Sequence, residues 1–257
     1  MEEATIAGVH AACRAGALST TELVSHYLAR IAAYDRQGPA LHSLLTVNPR
    51  ALEEAQRLDA LRRAGRTGAL HGIPVILKDN FDTHDMPTTG GSVAMRESRP
   101  ARDAFVVRRL REAGALILGK ANLQEFARGG VSVSSLGGQV RNPYDLTRSA
   151  GGSSGGTGAA IAADFALAGT GSDTGQSIRS PASACCLVGV RPTRGLVSRA
   201  GIMPNSLTQD EAGPITRTVR DAAVMLDVMA GYDPQDPVTA LAAGRPPARH
   251  ADALRPD

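Results

Sequence analysis

The chain has 257 residues, with 28 basic and 25 acidic side chains and a formal net charge of +3; this length buries a sizeable core in one large domain or two small ones. Its charges are interspersed, only 3% of residues are aromatic and Trp is absent, which excludes both the basic face and the stacking platform of a nucleic-acid binder. Cys13, Cys185 and Cys186 form neither a disulfide framework nor a zinc spacing, Met1-Glu2-Glu3 is no signal peptide, and no apolar run nears the about 20 residues that span a bilayer, so the expectation is a cytoplasmic protein off the membrane.

Residues 1–66 read as a helical N-terminal region packed on a core. Ser19 and Glu22 have capping-box spacing, and Leu23, Tyr27 and Ile31 then recur at helical intervals, with Val24 and Leu28 widening the stripe. A second helix is expected from about Arg50 to Ala64, with Gly65 as its stop. From residue 67 to 232 the pattern becomes α/β. Ile73–Leu77 reads as a buried strand ending at Lys78. Asp103 is expected to cap a helix carrying Val106, Val107 and Leu110, which Gly114 ends, and Ala115–Leu118 follows as the next strand. Ser153–Gly158 opens an alanine-rich helix. Phe165–Ala168 and Leu187–Val190 are strand candidates, and Thr218 caps a helix closed by Gly231. Strands alternating with helices predict an α/β fold with a mixed, mainly parallel sheet covered by helices. Residues 233–257, rich in Pro, Ala and Arg, read as an irregular C-terminal tail.

Two serines in glycine-framed turns carry the chemistry. Ser153 lies in Gly151-Gly152-Ser153-Ser154-Gly155-Gly156, and Ser177 lies in Gly171-Ser172-Asp173-Thr174-Gly175-Gln176-Ser177-Ile178-Arg179. A serine hydroxyl needs a base to become a nucleophile. None of His10, His26, His42, His71, His84 and His250 lies in such a turn, and His71 and His84, the nearest to the motifs, read as structural. A lysine serves as base when burial lowers its pKa, and Lys78, at the end of an apolar strand, has that setting. Glycine turns leading into helices offer free backbone N–H groups that can hold an oxyanion. Rival readings of the turns fail on their details. A flexible linker is out of place between two ordered elements, no Gly-Lys-Ser/Thr follows to make a phosphate loop, and Gly169-Thr170-Gly171 is only a fragment of a dinucleotide fingerprint.

The stretch from Asn142-Pro143 through both serine turns to Arg179 resembles the amidase signature family. Leu70-His71-Gly72-Ile73-Pro74 before Lys78-Asp79-Asn80, Gly119-Lys120-Ala121-Asn122-Leu123 with Glu125-Phe126, Gly189-Val190-Arg191-Pro192-Thr193 and Asp210-Glu211-Ala212-Gly213-Pro214 fit as well, so the resemblance spans about residues 5 to 235. It implies a Ser-cisSer-Lys triad. Ser177 would be the nucleophile, Ser153 the bridging serine at a cis peptide bond, and Lys78 the base. The oxyanion hole would come from the N–H groups around Thr174, Gly175, Gln176 and Ser177. Ser154 would be a secondary contact, Asp173 and Arg179 would brace the loop, and Lys120 would be structural. The resemblance further implies an amidohydrolase acting on a small-molecule amide through an acyl-enzyme, without metal or organic cofactor.

Two departures from the family are visible. Gln176 stands where the family usually has glycine, and it would be strained if the position needs a positive φ. The chain is also shorter than the family's domains, with the C-terminal part of the fold missing. It is therefore expected to be a natural short amidase, to pair as a homo-oligomer or with a complementary C-terminal chain, or to be a non-catalytic truncated remnant. A glutamyl-tRNA amidotransferase A-type subunit is the alternative within the resemblance.

Overall fold

The computed structural model describes residues 3–244 and 249–254. Helix α1 (Ile6–Arg14) is capped by the Thr5 hydroxyl, which accepts from Gly8 N. Helix α2 (Thr20–Tyr34) carries the expected capping box: Glu22 N donates to Ser19 Oγ (3.1 Å) and Ser19 N donates to Glu22 Oε2 (2.8 Å). Its Leu23, Val24, Tyr27 and Ile31 are buried. Helix α3 (Ala51–Arg63) ends just before Gly65, whose φ of +73° suits the reversal that follows. The stretch read as helical also contributes a strand, β1 (Leu44–Val47). Four residues carry no period of their own, so the neighbouring strand and not the sequence pattern specifies this one.

The sheet is built around two apolar strands, β2 (Pro74–Lys78) and β3 (Leu116–Ala121), whose residues are all buried. Continuous apolar runs of this kind belong to strands covered on both faces. Helix α4 (Phe105–Glu112) lies between them in sequence. Its N-cap is Ala104 and not Asp103. The Asp103 carboxylate instead accepts from His84 N (3.0 Å) and meets Arg111 Nε at 3.0 Å, partners that compete with a capping role. A small hairpin follows, β4 (Val133–Ser134) with β5 (Gly138–Gln139), and then α5 (Gly155–Ala162).

The expected strand at Phe165–Ala168 is displaced: β6 spans Ala168–Asp173. Ala-Gly-Thr-Gly-Ser-Asp reads as a loop by composition, yet it is buried between two other strands. A Cβ on Gly169 would lie 2.4 Å from Thr157 Cγ2 of α5, so the close approach of that helix requires the small residue. The fragment Gly169-Thr170-Gly171 is thus a strand interior and no phosphate-binding turn. Helix α6 (Arg179–Ala184), β7 (Val188–Gly189), β8 (Glu211–Thr216) and α7 (Val219–Met229) complete the element order, with Thr218 capping α7 as expected.

The strand order is β1-β3-β2-β6-β8-β7. Strands β3, β2 and β6 are mutually parallel, β8 is antiparallel to β6, and β7 is antiparallel to β8. Four of the six strands therefore run one way, with β1 and β8 opposed. One apolar cluster runs from Ile6 through both central strands to Met229. Beyond α7, Asp236 holds Arg199 through Nε (2.9 Å) and Nη2 (2.8 Å), and Ser198 Oγ donates to Asp233 Oδ2 (2.6 Å). The tail expected from 233 to 257 includes residues 245–248 and 255–257, which lie outside the described residues.

Candidate active site

Parallel pairing of β2 with β6 brings their C-terminal ends side by side, and this places Lys78. Its ammonium nitrogen donates to Ser153 Oγ (2.7 Å), Ser172 Oγ (2.8 Å) and Ser172 O (3.2 Å), with none of the residue exposed. Burial pushes its pKa down from 10.5 to about 7, against the opposing pull of Asp173 and Asp210.

Ser153 is held by its backbone as well as its hydroxyl. The Gly152–Ser153 peptide is cis. Ser153 O accepts from Gln124 N (2.9 Å), and Ser132 Oγ donates to Gly151 O (2.8 Å) while accepting from Gly155 N (2.9 Å). Ser132 thus ties both sides of the Ser153 turn. A Cβ on Gly151, at φ +73°, would come 2.8 Å from Pro181 Cα, so glycine is required on both counts. Ser154 is buried; its N–H donates to Ser177 O (3.2 Å) and its hydroxyl to Ser172 O (3.4 Å).

The Ser177 turn is braced from beneath. Asp173 Oδ2 accepts from Ile178 N (3.0 Å) and Arg179 Nε (3.1 Å), and Oδ1 accepts from Arg191 Nη1 (3.0 Å). Burial alone would raise the Asp173 pKa, but the hydrogen bonds from Arg179 and Ile178 hold it below the usual carboxylate range. Arg179 also donates to Gly175 O, and Thr174 Oγ1 donates to Asp210 Oδ1 (2.5 Å). Gln176 is exposed and its φ is not positive, so the expected strain is absent. Its carboxamide lies close to Gly130, where a Cβ would sit 2.7 Å from Gln176 Nε2. Among the described residues the N–H groups of Gly175, Gln176 and Ser177 have no acceptor, and the Ser177 hydroxyl, on a residue 6% exposed, has no partner.

Sequence reasoning gave no role to Ser172, Ser132 or Asp210. Ser172 and Asp210 lie inside recognisable motifs, and only the register of β6 on β2 and the path of the segment before β8 reveal what they touch. The two lysines of the chain are Lys78 and Lys120, so the other 26 of its 28 basic residues are arginines. Lys120 is fully buried and meets Asp79 Oδ1 at 3.0 Å, Thr88 Oγ1 at 2.9 Å and Pro87 O at 2.9 Å. Burial lowers its pKa while Asp79 opposes that shift. It is a structural ion pair, as expected. His71 Nε2 contacts Leu58 O (2.9 Å). His84 gathers with Asp85 and Asp103, and the Arg111 guanidinium already meets both carboxylates, at 2.7 and 3.0 Å.

A mixed sheet whose parallel strand ends deliver a buried lysine to a cis-peptide serine defines the class: the chain belongs to the Amidase family, which matches residues 22–254. In structure it is similar to the native peptide amidase of Stenotrophomonas maltophilia (TM-score 0.95, 47% identity, 98% of this chain and 53% of that one) and to an amidase family protein of Bacillus anthracis (TM-score 0.94, 39% identity, 99% and 52%). In sequence it is 47% identical over 237 residues to the A-type subunit of the glutamyl-tRNA(Gln) amidotransferase of Halorhodospira halophila, covering 92% of this chain and 48% of the relative. The chain therefore spans about half the length of the curated relatives it matches. Among the described residues no helix is long and apolar enough to cross a membrane.

Proposed function

We propose that the chain is a serine amidohydrolase in which Lys78, Ser153 and Ser177 act as base, bridge and nucleophile on a small-molecule amide. The observation that carries this reading is the 2.7 Å contact between a fully buried Lys78 and the hydroxyl of Ser153. Neutral Lys78 takes the Ser153 proton as Ser153 takes that of Ser177. Ser177 Oγ bonds to the carbonyl carbon, and the resulting oxyanion lies against the free N–H groups of the turn from Thr174 to Ser177. The C–N bond then breaks as the proton returns along the same path to the leaving amine, and water hydrolyses the acyl-enzyme by the reverse relay. One oxyanion donor is worth on the order of 100- to 1000-fold in rate. Asp173 and Arg179 keep the turn in shape, and Ser154 ties it to the bridging serine.

Likeness to the peptide amidase makes a peptide amide the first substrate to try. Ser177→Ala, Ser153→Ala and Lys78→Ala are each expected to lower turnover by at least about a thousandfold with unchanged circular dichroism. Intact-mass detection of a fluorophosphonate adduct should find it on wild type and not on Ser177→Ala. Wild-type turnover in Ser177→Ala would refute the assignment. The identity to amidotransferase chains favours a second reading, a glutaminase that works only with partner chains and ATP. Glutamine hydrolysis that appears on addition of such partners, with free amides inert, would select it.

A further inference from the structure

Asp210 lies just ahead of β8 and is held by three donors. Thr174 Oγ1 (2.5 Å) bonds Oδ1, and Asn205 N (2.7 Å) and Ser206 N (2.8 Å) bond Oδ2. Asn205 Nδ2 in turn donates to Thr174 Oγ1 (3.2 Å) and to Ala127 O (3.2 Å). Among the described residues no cationic side chain is within ion-pairing distance of Asp210. The other carboxylates of this corner are matched: Asp173 by Arg179 and Arg191, Asp79 by Lys120, and Glu211 by Arg194 at 3.7 Å. Asp210 also lines a cavity of about 190 Å³ together with Ser172, whose hydroxyl accepts from Lys78.

Building on the lysine-base reading above, we infer that Asp210 is a positioning residue with two tasks. It is the unmatched negative charge that stabilises Lys78 once protonated, and it anchors the Thr174 end of the oxyanion turn. Proton transfer from the serines leaves an ammonium in a place with no solvent contact, and buried charge of that kind needs an opposite charge nearby. Ser153, from the turn ahead of α5, offers Lys78 only a hydroxyl dipole. Ser172 on β6 adds a hydroxyl and its carbonyl, while Thr170 accepts from the Lys78 backbone N–H and Asn80 Nδ2 donates to Ser172 Oγ, so neither brings charge to the amine. Asp173 contributes charge from the end of β6 but shares it with two guanidiniums, and Asp79 shares its charge with Lys120 of β3. Glu211 on β8 faces Arg194. Asp210, held by a hydroxyl and two backbone N–H groups and facing Arg199 only beyond ion-pairing distance, thus adds to the charge that Asp173 supplies. The two carboxylates that pull on the Lys78 equilibrium are Asp173 and Asp210, in keeping with this placement. Through Thr174 the same carboxylate links the state of the base to the shape of the turn that receives the oxyanion.

The test reads Lys78 directly. With two lysines in the chain, [¹³Cε]lysine labelling gives two resonances, and Lys78→Met assigns them. Asp210→Asn should lower the Lys78 titration midpoint by about half a unit or more, because the ammonium loses its opposing charge. Thr174→Val, which keeps the charge and removes the tether, should leave the midpoint in place and slow fluorophosphonate labelling of Ser177 by about tenfold or more. An unmoved midpoint in folded Asp210→Asn overturns the inference, as does an equal shift in Thr174→Val. Should Asp210→Asn not fold, Asp210→Glu carries the test: a midpoint no lower than wild type with slowed labelling supports both tasks. A lowered midpoint overturns the charge role, and unslowed labelling overturns the anchor. The titration does not depend on turnover, so an inactive wild type would defeat the hydrolase reading while the NMR still decides this one.

Discussion

Lys78→Met should stabilise the protein at neutral pH while abolishing its chemistry, and the stability gain should fade as pH rises. With a native pKa of about 7 against 10.5 when unfolded, keeping Lys78 neutral costs about 4 kcal/mol at pH 7. The unfolded chain binds more protons than the folded one between those values, so wild-type stability rises with pH across the window and is flat on this account below about 7. Methionine removes that cost. It also removes donors to Ser153 Oγ, Ser172 Oγ and Ser172 O, which costs about 1 kcal/mol for each bond not remade. The net expectation is a variant more stable by about 1–2 kcal/mol at pH 7. Its advantage should shrink by about 1.4 kcal/mol per pH unit until it reverses. Urea denaturation followed by circular dichroism at intervals from pH 6.5 to 9.5 measures this, because Trp is absent. Every other titrating group is common to both proteins and cancels in the difference. Parallel stability curves would show that Lys78 is an ordinary ammonium in the folded state and would remove the base from the proposed relay.

The buried pair Lys120–Asp79 should behave oppositely. Asp79→Asn and Lys120→Met singly should each cost about 3–5 kcal/mol, whereas the double variant should recover most of that loss, measured as the coupling energy of a double-mutant cycle in urea. Additive losses would contradict a paired charge. Gly156→Ala would place a Cβ 2.1 Å from Asn122 O and 2.5 Å from Ser43 O, both backbone atoms. It should destabilise by about 3 kcal/mol or more, while Gly175→Ala, with nothing within 4 Å, should unfold at the wild-type urea concentration. Gln176→Gly removes the side chain that lies close to Gly130 and should raise kcat/KM for amides with bulky acyl groups about tenfold over acetamide-sized ones. An unchanged ratio would show that Gln176 does not border the acyl pocket.

Much of this architecture was legible because it rests on local chemistry. Ser19 and Glu22 cap α2 through each other, and β2 and β3 are apolar runs long enough to be recognised. Elements specified by neighbours were not legible. β1 is defined by its edge on β3. β6 looks like a loop because each glycine in it answers to something distant in sequence, Gly169 to Thr157 and Gly171 to Ile178 and Ser154. Asp103 satisfied every local rule for a cap and was claimed by His84 and Arg111 instead. The same division runs through the site. Ser153 and Ser177 announce themselves by their turns, and Lys78 by the apolar strand it ends. Ser132, Ser172 and Asp210 carry no signal of what they touch, because their partners lie 19, 94 and 36 residues away.

The proposed base and its structural counterpart, Lys78 and Lys120, differ in their partners. Both end or nearly end buried parallel strands, both are fully buried, and burial lowers the pKa of both. Lys120 meets a carboxylate at 3.0 Å, whereas Lys78 meets two serine hydroxyls and a carbonyl. Dipoles hold a nitrogen in place without holding its proton, which is why the proposed relay assigns the cycling amine to Lys78 and not to Lys120. On the proposed reading, lysine at 78 meets the need to release a proton, which a guanidinium does not do. Lys78→Arg should therefore be the worse of the two substitutions at this position. It cannot become neutral, so it should be as inactive as Lys78→Met, and it should be destabilised by about 3 kcal/mol or more relative to wild type where methionine is stabilising. Its loss relative to wild type should grow between pH 7 and 9.5, since only the wild-type side chain at position 78 titrates there. An arginine variant as stable as wild type would mean that solvent reaches the floor of the site, and the argument for a neutral amine there would fail with it.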